Sequence, residues 1–333
     1  MDLTVAICTH NGADRLPDVL ECLRGQILTE SFVWEVLVVD NNSTDETSRI
    51  IRQFQENWSV DVPLIGSFEA QQGLAYARRK AIAQARGKLI AFLDDDNLPT
   101  ETWIAAVERF GRCHPRVGAY GSCIQGQYEL EPPPNFKRIA SFLAIVDRGK
   151  TAFCYNRRKD WVFPAGAGLV VRKQVWLDAV PTTPVLAGVK GKSLRGKGED
   201  IETLTYIRKA GWEIWHNPEM QIYHKIPARR LERQYLIRLF KGVGLGRYPF
   251  RALRFATWQR IPIIPLYFLK DLYELLLHLF QNGHLLRKDI VFNCEVTLLW
   301  WSLISPAYHW RLWLPDVVFK RYPKVEKTTD SLI

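Results

Sequence analysis

KLIAFLDDDNLP, residues 88–99, decides the fold. Lys88–Asp94 reads as a strand, apolar from Leu89 to Leu93, and it runs directly into Asp94, Asp95 and Asp96. Two earlier segments repeat the pattern. LTVAICT (3–9) is a buried strand that leads to Thr9-His10-Asn11, and WEVLVVD (34–40) is an apolar strand ending in an acid and followed by Asn41-Asn42. Helical spacing fills the intervals over Asp14–Leu23, Asp45–Asn57, Gly73–Arg86 and Glu101–Phe110, with a short strand near Leu64–Ser67. Asn42, Ser43 or Thr44 is placed to cap the second helix, and Asp45 is an alternative cap. Strands alternating with helices predict an α/β protein with a mostly parallel, Rossmann-like sheet and flanking helices. Ligands of such sheets bind beyond the carboxyl ends of the strands, so three polar strand ends predict one shared site.

The rest of the chain predicts an appendage on that sheet. Of 333 residues, 47% are hydrophobic and 24% charged, which suits a globular protein and excludes a disordered one. The net charge of +10 is unevenly placed. Residues 1–224 hold 27 basic and 27 acidic side chains, whereas 225–333 hold 18 and 8. Lys225–Arg260 is densest, with ten basic residues and one acid, Glu232. Trp258, Trp300, Trp301, Trp310 and Trp313 lie in the same third, and basic residues mixed with aromatics suit an anionic membrane surface. The basic stretch carries no recognition helix or zinc pattern, which argues against nucleic acid. Six scattered cysteines without a C-x-x-C pair predict a reducing compartment, and an N-terminus without a basic n-region predicts no cleaved signal peptide. A cytoplasmic protein, peripheral at the inner face of the membrane, is therefore expected.

Residues 119–225 are less regular. Pro132-Pro133-Pro134 is a break, FPAGAGLVV (163–171) a glycine-rich turn feeding a strand, and EMQIYH (219–224) a strand before His224. Residues 181–198 predict a long loop bearing Lys190, Lys192, Arg195 and Lys197, which leads to a helix from Gly198-Glu199-Asp200 to about Lys209. The last third is helical. In Ile264–Gln281, Lys270, Asp271, Glu274 and His278 fall within about 100° of arc and apolar residues fill the rest. Ile290–Ser305 is about 16 residues long and contains Glu295, so neither segment reads as a spanning helix. Helices lying on a bilayer, or packed on the first domain or a second subunit, fit equally. The division is 1–225, comprising halves 1–118 and 119–225, followed by a basic helical extension over 226–333.

Adjacent carboxylates repel, and a divalent cation is their usual remedy. Along an extended chain Asp94 and Asp96 face one way and Asp95 the other. Mg²⁺ takes one or two carboxylates plus substrate phosphates, which fits a phosphate-bearing ligand. Asp40 is placed to accept hydrogen bonds from a nucleoside. Glu199 and Asp200 sit at a helix N-terminus, which favours their ionised forms, so they read either as caps or as a base.

With these elements in place, the chain resembles the family 2 glycosyltransferases, inverting enzymes of the GT-A fold. The resemblance covers about 1–225 and rests on Thr9-His10-Asn11, Asp40-Asn41-Asn42-Ser43-Thr44-Asp45, Gly73-Leu74-Ala75-Tyr76-Ala77-Arg78, Phe92-Leu93-Asp94-Asp95-Asp96, Gly166-Ala167-Gly168 and Gly198-Glu199-Asp200. It implies a nucleotide-diphosphate sugar donor, UDP- or GDP-linked, and a saccharide or lipid-linked saccharide acceptor in polysaccharide or glycolipid synthesis. It also implies Mg²⁺ or Mn²⁺ as cofactor. Asp40 would contact the base, Asp94 the ribose and diphosphate, and Asp96 the metal, with Asp94 as a further ligand. His224, read from its place at the end of EMQIYH rather than from the resemblance, is either a further ligand of the metal or a structural histidine. Asp200, beside Glu199, would be the catalytic base. Thr9, Asn11, Asn42, Arg78 and Asp95 would complete the donor pocket. His10 departs from the Tyr common in the family.

Two other readings weigh less. A nucleotidyltransferase would carry a glycine-rich phosphate loop after the first strand, where this chain has THNGADRLP with one Gly. A catalytically inactive membrane-surface scaffold would have no need of the full acidic set.

Overall fold

The computed structural model describes residues 1–28, 31–157, 161–183, 198–255, 257–286 and 288–317. The basic loop expected at 190–197 lies outside them, as do the side chains of Trp310 and Trp313.

The chain begins with β1 (Leu3–Thr9), α1 (Leu16–Arg24), β2 (Trp34–Asp40), α2 (Thr47–Glu56), β3 (Leu64–Phe68), α3 (Leu74–Gln84) and β4 (Leu89–Asp94). Next come β5 (Asn97–Pro99), α4 (Trp103–Cys113), β6 (Val117–Tyr128), β7 (Phe153–Cys154), β8 (Leu169–Arg172), α5 (Lys173–Ala179), α6 (Glu199–Lys209) and β9 (Glu213–Ile226). Three long helices follow, α7 (Arg233–Leu253), α8 (Thr257–Asn282) and α9 (Ile290–Val317). The nine strands form one sheet in the order β3-β2-β1-β4-β8-β6-β9-β5, with β7 on β9. β3, β2, β1 and β4 run parallel, as do β6 and β9. β8 is antiparallel to both β4 and β6, so one short reversed strand joins the two parallel groups.

The apolar strands are buried on both faces. Val5 and Ile7 of β1, Val36 and Val38 of β2, and Ala91 and Leu93 of β4 enter one core layer. Their neighbours Ala6, Leu37, Val39, Ile90 and Phe92 enter the other. Alternate residues point to opposite faces, and helices cover both, which is why these strands carry no polar stripe. The N-cap of α2 is Glu46, without a side-chain cap bond; one residue earlier, Asp45 Oδ1 accepts from the Thr47 backbone N–H at 3.0 Å, and Ser43 and Thr44 bond to Asn11.

The region expected to be less regular contains β6, a strand of 12 residues, and β9, one of 14. Pairing of β6 with β8 and β9 ties both halves of residues 1–225 into a single sheet. A third core cluster joins Phe136, Ile139 and Leu143 to Leu236, Leu239 and Phe240 of α7 and to Val291, Cys294 and Leu298 of α9. α9 runs 28 residues rather than about 16, because the helix continues through Pro306. Its stretch Ile290–His309 is long and apolar enough by composition to cross a membrane, yet it packs against α7 and is one-third buried there.

Candidate functional site

Strand register aligns the polar ends. Thr9 pairs with Asp40 across β1 and β2, and Cys8 pairs with Asp94 across β1 and β4. The three strand ends therefore sit side by side, as the sequence pattern required. The acidic triplet itself departs from the expected alternation. β4 ends at Asp94 and the chain turns at Asp95-Asp96, so the pleat is lost and each carboxylate takes its own direction. Asp94 lines a cavity of about 480 Å³, whereas Asp96 lines a second of about 370 Å³ with Arg15, Lys225 and Arg230.

Asp94 shares the larger cavity with Arg78, Gly166, Glu199 and Asp200. Arg78 is buried between the carboxylates, 3.7 Å from Asp94 Oδ1 and 3.3 Å from Glu199 Oε1, and its guanidinium lies 5.2 Å from the Phe92 ring centroid. Gly166 makes room for it, since a Cβ there would stand 2.6 Å from Arg78 Nη2. Burial pushes the Asp94 carboxyl above its usual range, against the pull of Arg78, and Asp96 adds to the rise. Burial pushes Glu199 up to about 7; Arg78 opposes this and Asp200 adds to it. Asp200 heads α6, with Oδ2 accepting from Gly166 N–H at 2.9 Å and Oδ1 from Ile201 N–H at 2.8 Å. α6 starts at Gly198, where φ is +111° and the Phe250 ring of α7 lies 1.8 Å from an ideal Cβ position, so only glycine fits.

Phe142, Trp161, Phe163, Val243 and Phe250 form the apolar side of this cavity. Trp161 stacks on two guanidinium groups, Arg208 at 4.2 Å and Arg254 at 5.3 Å from its ring centroid. Val243 and Phe250 belong to α7, so the helical extension forms part of the wall.

Most of the remaining residues expected to hold the donor are engaged in hydrogen bonds within the strand-end loops. Asp40 is buried and accepts from Ser43 N–H at 2.9 Å and from Ser48 Oγ at 2.6 Å. Asn11 Oδ1 accepts from Thr44 N–H at 2.8 Å. Asn11 and Asn42 both adopt positive φ, +50° and +59°, which asparagine tolerates better than most residues. Thr9 Oγ1 donates to Asp95 Oδ2 at 2.6 Å, and Arg15 grips both oxygens of Asp95 at 3.0 Å. These bonds tie Asp95, just after β4, to the end of β1 and the start of α1. Its carboxyl is raised by burial, which Arg15 opposes.

Asp96 meets Arg230 Nη2 at 2.7 Å and His224 Nε2 at 3.4 Å. Burial opposes its ionisation, but the surrounding His224, Arg230 and Arg15 more than compensate and hold it well below the usual carboxylate range. His224 Nδ1 is buried and has no partner among the described residues. A carboxylate beside an imidazole is a donor pair that suits Mn²⁺ or Mg²⁺ when a substrate supplies further oxygens, but His224 Nε2, the ring nitrogen that faces Asp96, already stands 2.9 Å from Arg230 Nη1. Among the described residues no three His, Cys, Asp or Glu converge on one point. Arg15, Arg230 and Phe250 were not singled out in the sequence; Arg230 lay inside the basic stretch, and the other two had no local signal.

The sequence model of glycosyl transferase family 2 matches residues 4–171. Glycosyltransferase AglE of Haloferax volcanii is 37% identical over 102 residues, 31% of this chain and 33% of its own length. The glucosyl-dolichyl phosphate glucuronosyltransferase of the same organism is 20% identical over 238 residues, 71% of this chain and 73% of its own. The chain thus spans only about a third of the length of AglE. A mannosyltransferase from Pyrobaculum calidifontis, solved with GDP-Man and Mn²⁺, superposes with a TM-score of 0.58 at 19% identity, covering 93% of this chain and 87% of the other. That likeness extends through the helical C-terminal third, and the fold is GT-A.

Proposed function

Because the chain belongs to glycosyl transferase family 2, we propose that it transfers a sugar from a UDP- or GDP-linked donor to an acceptor hydroxyl, inverting the anomeric carbon. The acceptor is a saccharide or lipid-linked saccharide of polysaccharide or glycolipid synthesis, handled at the inner face of the cell membrane. One observation carries the reading. Asp94, at the end of β4, and Asp200, at the head of α6, line the same cavity although they lie 106 positions apart in sequence.

Asp200 Oδ accepts the proton of the acceptor hydroxyl as that oxygen attacks the anomeric carbon. A new C–O bond forms on one face while the bond to the diphosphate oxygen breaks on the other, and its electron pair leaves with the nucleotide diphosphate. The backbone N–H groups of Gly166 and Ile201 orient the Asp200 carboxylate for this step. Arg78 is a positioning residue that spans the donor-side Asp94 and the base-side Glu199, so it ties β4 to α6. Trp161 and Phe163 line the cavity as apolar wall against which an acceptor sugar packs, with Arg208 and Arg254 already against the Trp161 ring. A divalent cation held by Asp96 and His224, with Asp94 toward the ribose and diphosphate, would supply Lewis-acid stabilisation of the leaving group. Asp40 and the loops bearing Thr9, Asn11 and Asn42 shape the nucleoside end of the site.

Thermal stabilisation by a panel of nucleotide-sugars, with and without Mn²⁺, identifies the donor, and release of nucleotide diphosphate measures turnover. Asp200→Asn is expected to lower turnover by about 10²–10⁴-fold while the nucleotide still stabilises the protein. Turnover near that of the wild type would remove Asp200 as the base.

A further inference from the structure

α8 is turned inside out. Two of its ionisable residues face the protein: Asp271 is buried and held by Arg251 at 2.7 Å, and His278 meets Glu295 of α9 at 3.0 Å, whereas Lys270 and Glu274 pair at the surface. Its large apolar residues face outward. Trp258, Leu266, Leu269, Tyr273, Leu276 and Phe280 are 74%, 64%, 59%, 66%, 58% and 91% exposed. At 100° per residue these six fall within about 80° of arc, so they form one continuous stripe along the helix. A soluble helix places such a stripe on the core and its charges in water. Here the apolar residues, not the buried ion pairs, lack a partner among the described residues.

We propose that this face of α8 docks in the plane of an anionic lipid bilayer, with the apolar stripe in the acyl–headgroup boundary. Charge selects the occupant. Residues 225–333 carry 18 basic and 8 acidic side chains, and Lys270, with a side chain 63% exposed, borders the stripe. That balance attracts anionic headgroups and repels a second copy of the same surface. Trp258, Tyr273 and Phe280 are aromatic, and aromatic rings favour the headgroup level. The stripe also belongs to the layer that builds the cavity. α8 is clamped through Asp271 to Arg251 of α7, next to Phe250 in the cavity wall. Docking would therefore hold the acceptor side of the cavity near the lipid surface.

The inference sharpens the membrane location proposed above but does not depend on catalysis, and the test separates the two. The full chain is floated with phosphatidylcholine vesicles and with vesicles that also contain phosphatidylglycerol, while donor hydrolysis is followed in lipid-free solution. The expected result is flotation with the anionic vesicles, weakened by salt. Leu269→Glu with Leu276→Glu and Phe280→Glu is expected to reduce the bound fraction by about tenfold, with the melting temperature and lipid-free hydrolysis unchanged. Tyr273→Ala with Phe280→Ala keeps helix propensity and is expected to give a smaller loss in the same direction. Failure of the wild type to float, equal flotation of the variants, or a dimer that the glutamate substitutions dissociate would overturn the proposal. Flotation without hydrolysis would leave docking intact and count against the catalytic reading alone.

Discussion

Glu199 and Arg230 make the site's electrostatics testable. The Glu199 carboxyl rises from an ordinary 4.5 to about 7, chiefly by burial. Between those values the folded chain keeps a proton that the unfolded chain releases. The associated stability is therefore fully present below about 4.5 and is lost as pH climbs through about 7. Glu199→Gln cannot ionise, so its melting temperature should fall less steeply than the wild type's across that window. The divergence at pH 8 should be on the order of 1–3 kcal/mol in favour of the variant. Parallel melting curves would show that Glu199 is ionised throughout. Arg230 poses a different question, because its guanidinium already neutralises Asp96 at 2.7 Å. A divalent cation must compete with it. Arg230→Ala should tighten Mn²⁺ binding to the donor-free protein by about tenfold, or ~1.4 kcal/mol, in a calorimetric titration. Unchanged affinity would mean that Asp96 is not a metal ligand. Neither Arg230 nor Arg15 was readable in the sequence, because their carboxylate partners lie 134 and 80 positions away. Asp40 and Asp94 stood out in the sequence because each ends an apolar strand, whereas Asp200 was singled out as a base only through the family resemblance.

Among the elements, α8 shows what a pattern does and does not determine. The sequence placed Lys270, Asp271, Glu274 and His278 on one side of the helix, and the structure turns Asp271 and His278 of that set toward the protein while Lys270 and Glu274 pair at the surface. Periodicity cannot say which side meets the protein. That was decided by Arg251 of α7 and Glu295 of α9, which supply buried counter-charges and so draw the polar stripe inward. The arrangement depends on that pairing. Asp271 is 1% exposed, and removing one partner of a buried pair leaves an uncompensated charge. Asp271→Ala should therefore cost about 3–5 kcal/mol, measured as chemical denaturation midpoints, with faster amide exchange in α7 and α8 first. A loss below about 1 kcal/mol would show that Arg251 reaches water once freed. The same limit explains β8. Its apolar run was legible as a strand, but its direction was not, because its partners β4 and β6 are distant in sequence and only tertiary pairing reverses it.

At the scale of the molecule, the boundary near residue 225 is a change of composition that the packing crosses. Charge, tryptophan content and helical periodicity all change there, which is why the sequence divides at that point. The packing runs across it. Phe136, Ile139 and Leu143, from the segment between β6 and β7, share a core cluster with α7 and α9, and Ile226 at the end of β9 is buried in the same cluster. α7 also places Phe250 against Gly198 at the head of α6, one residue before Glu199. A chain cut after Pro227 would expose that cluster and remove one wall of the cavity, while leaving the nine-stranded sheet with all its strands. It should melt at a lower temperature than the full chain, bind a hydrophobic dye, and lose turnover more than nucleotide binding, since Asp40 and Asp94 lie on the far side of β8. A truncated chain that melts like the full one and keeps its turnover would make the helices an independent attachment. Loss of both nucleotide binding and cooperative melting would instead show that α7 and α9 are needed to form the sheet at all.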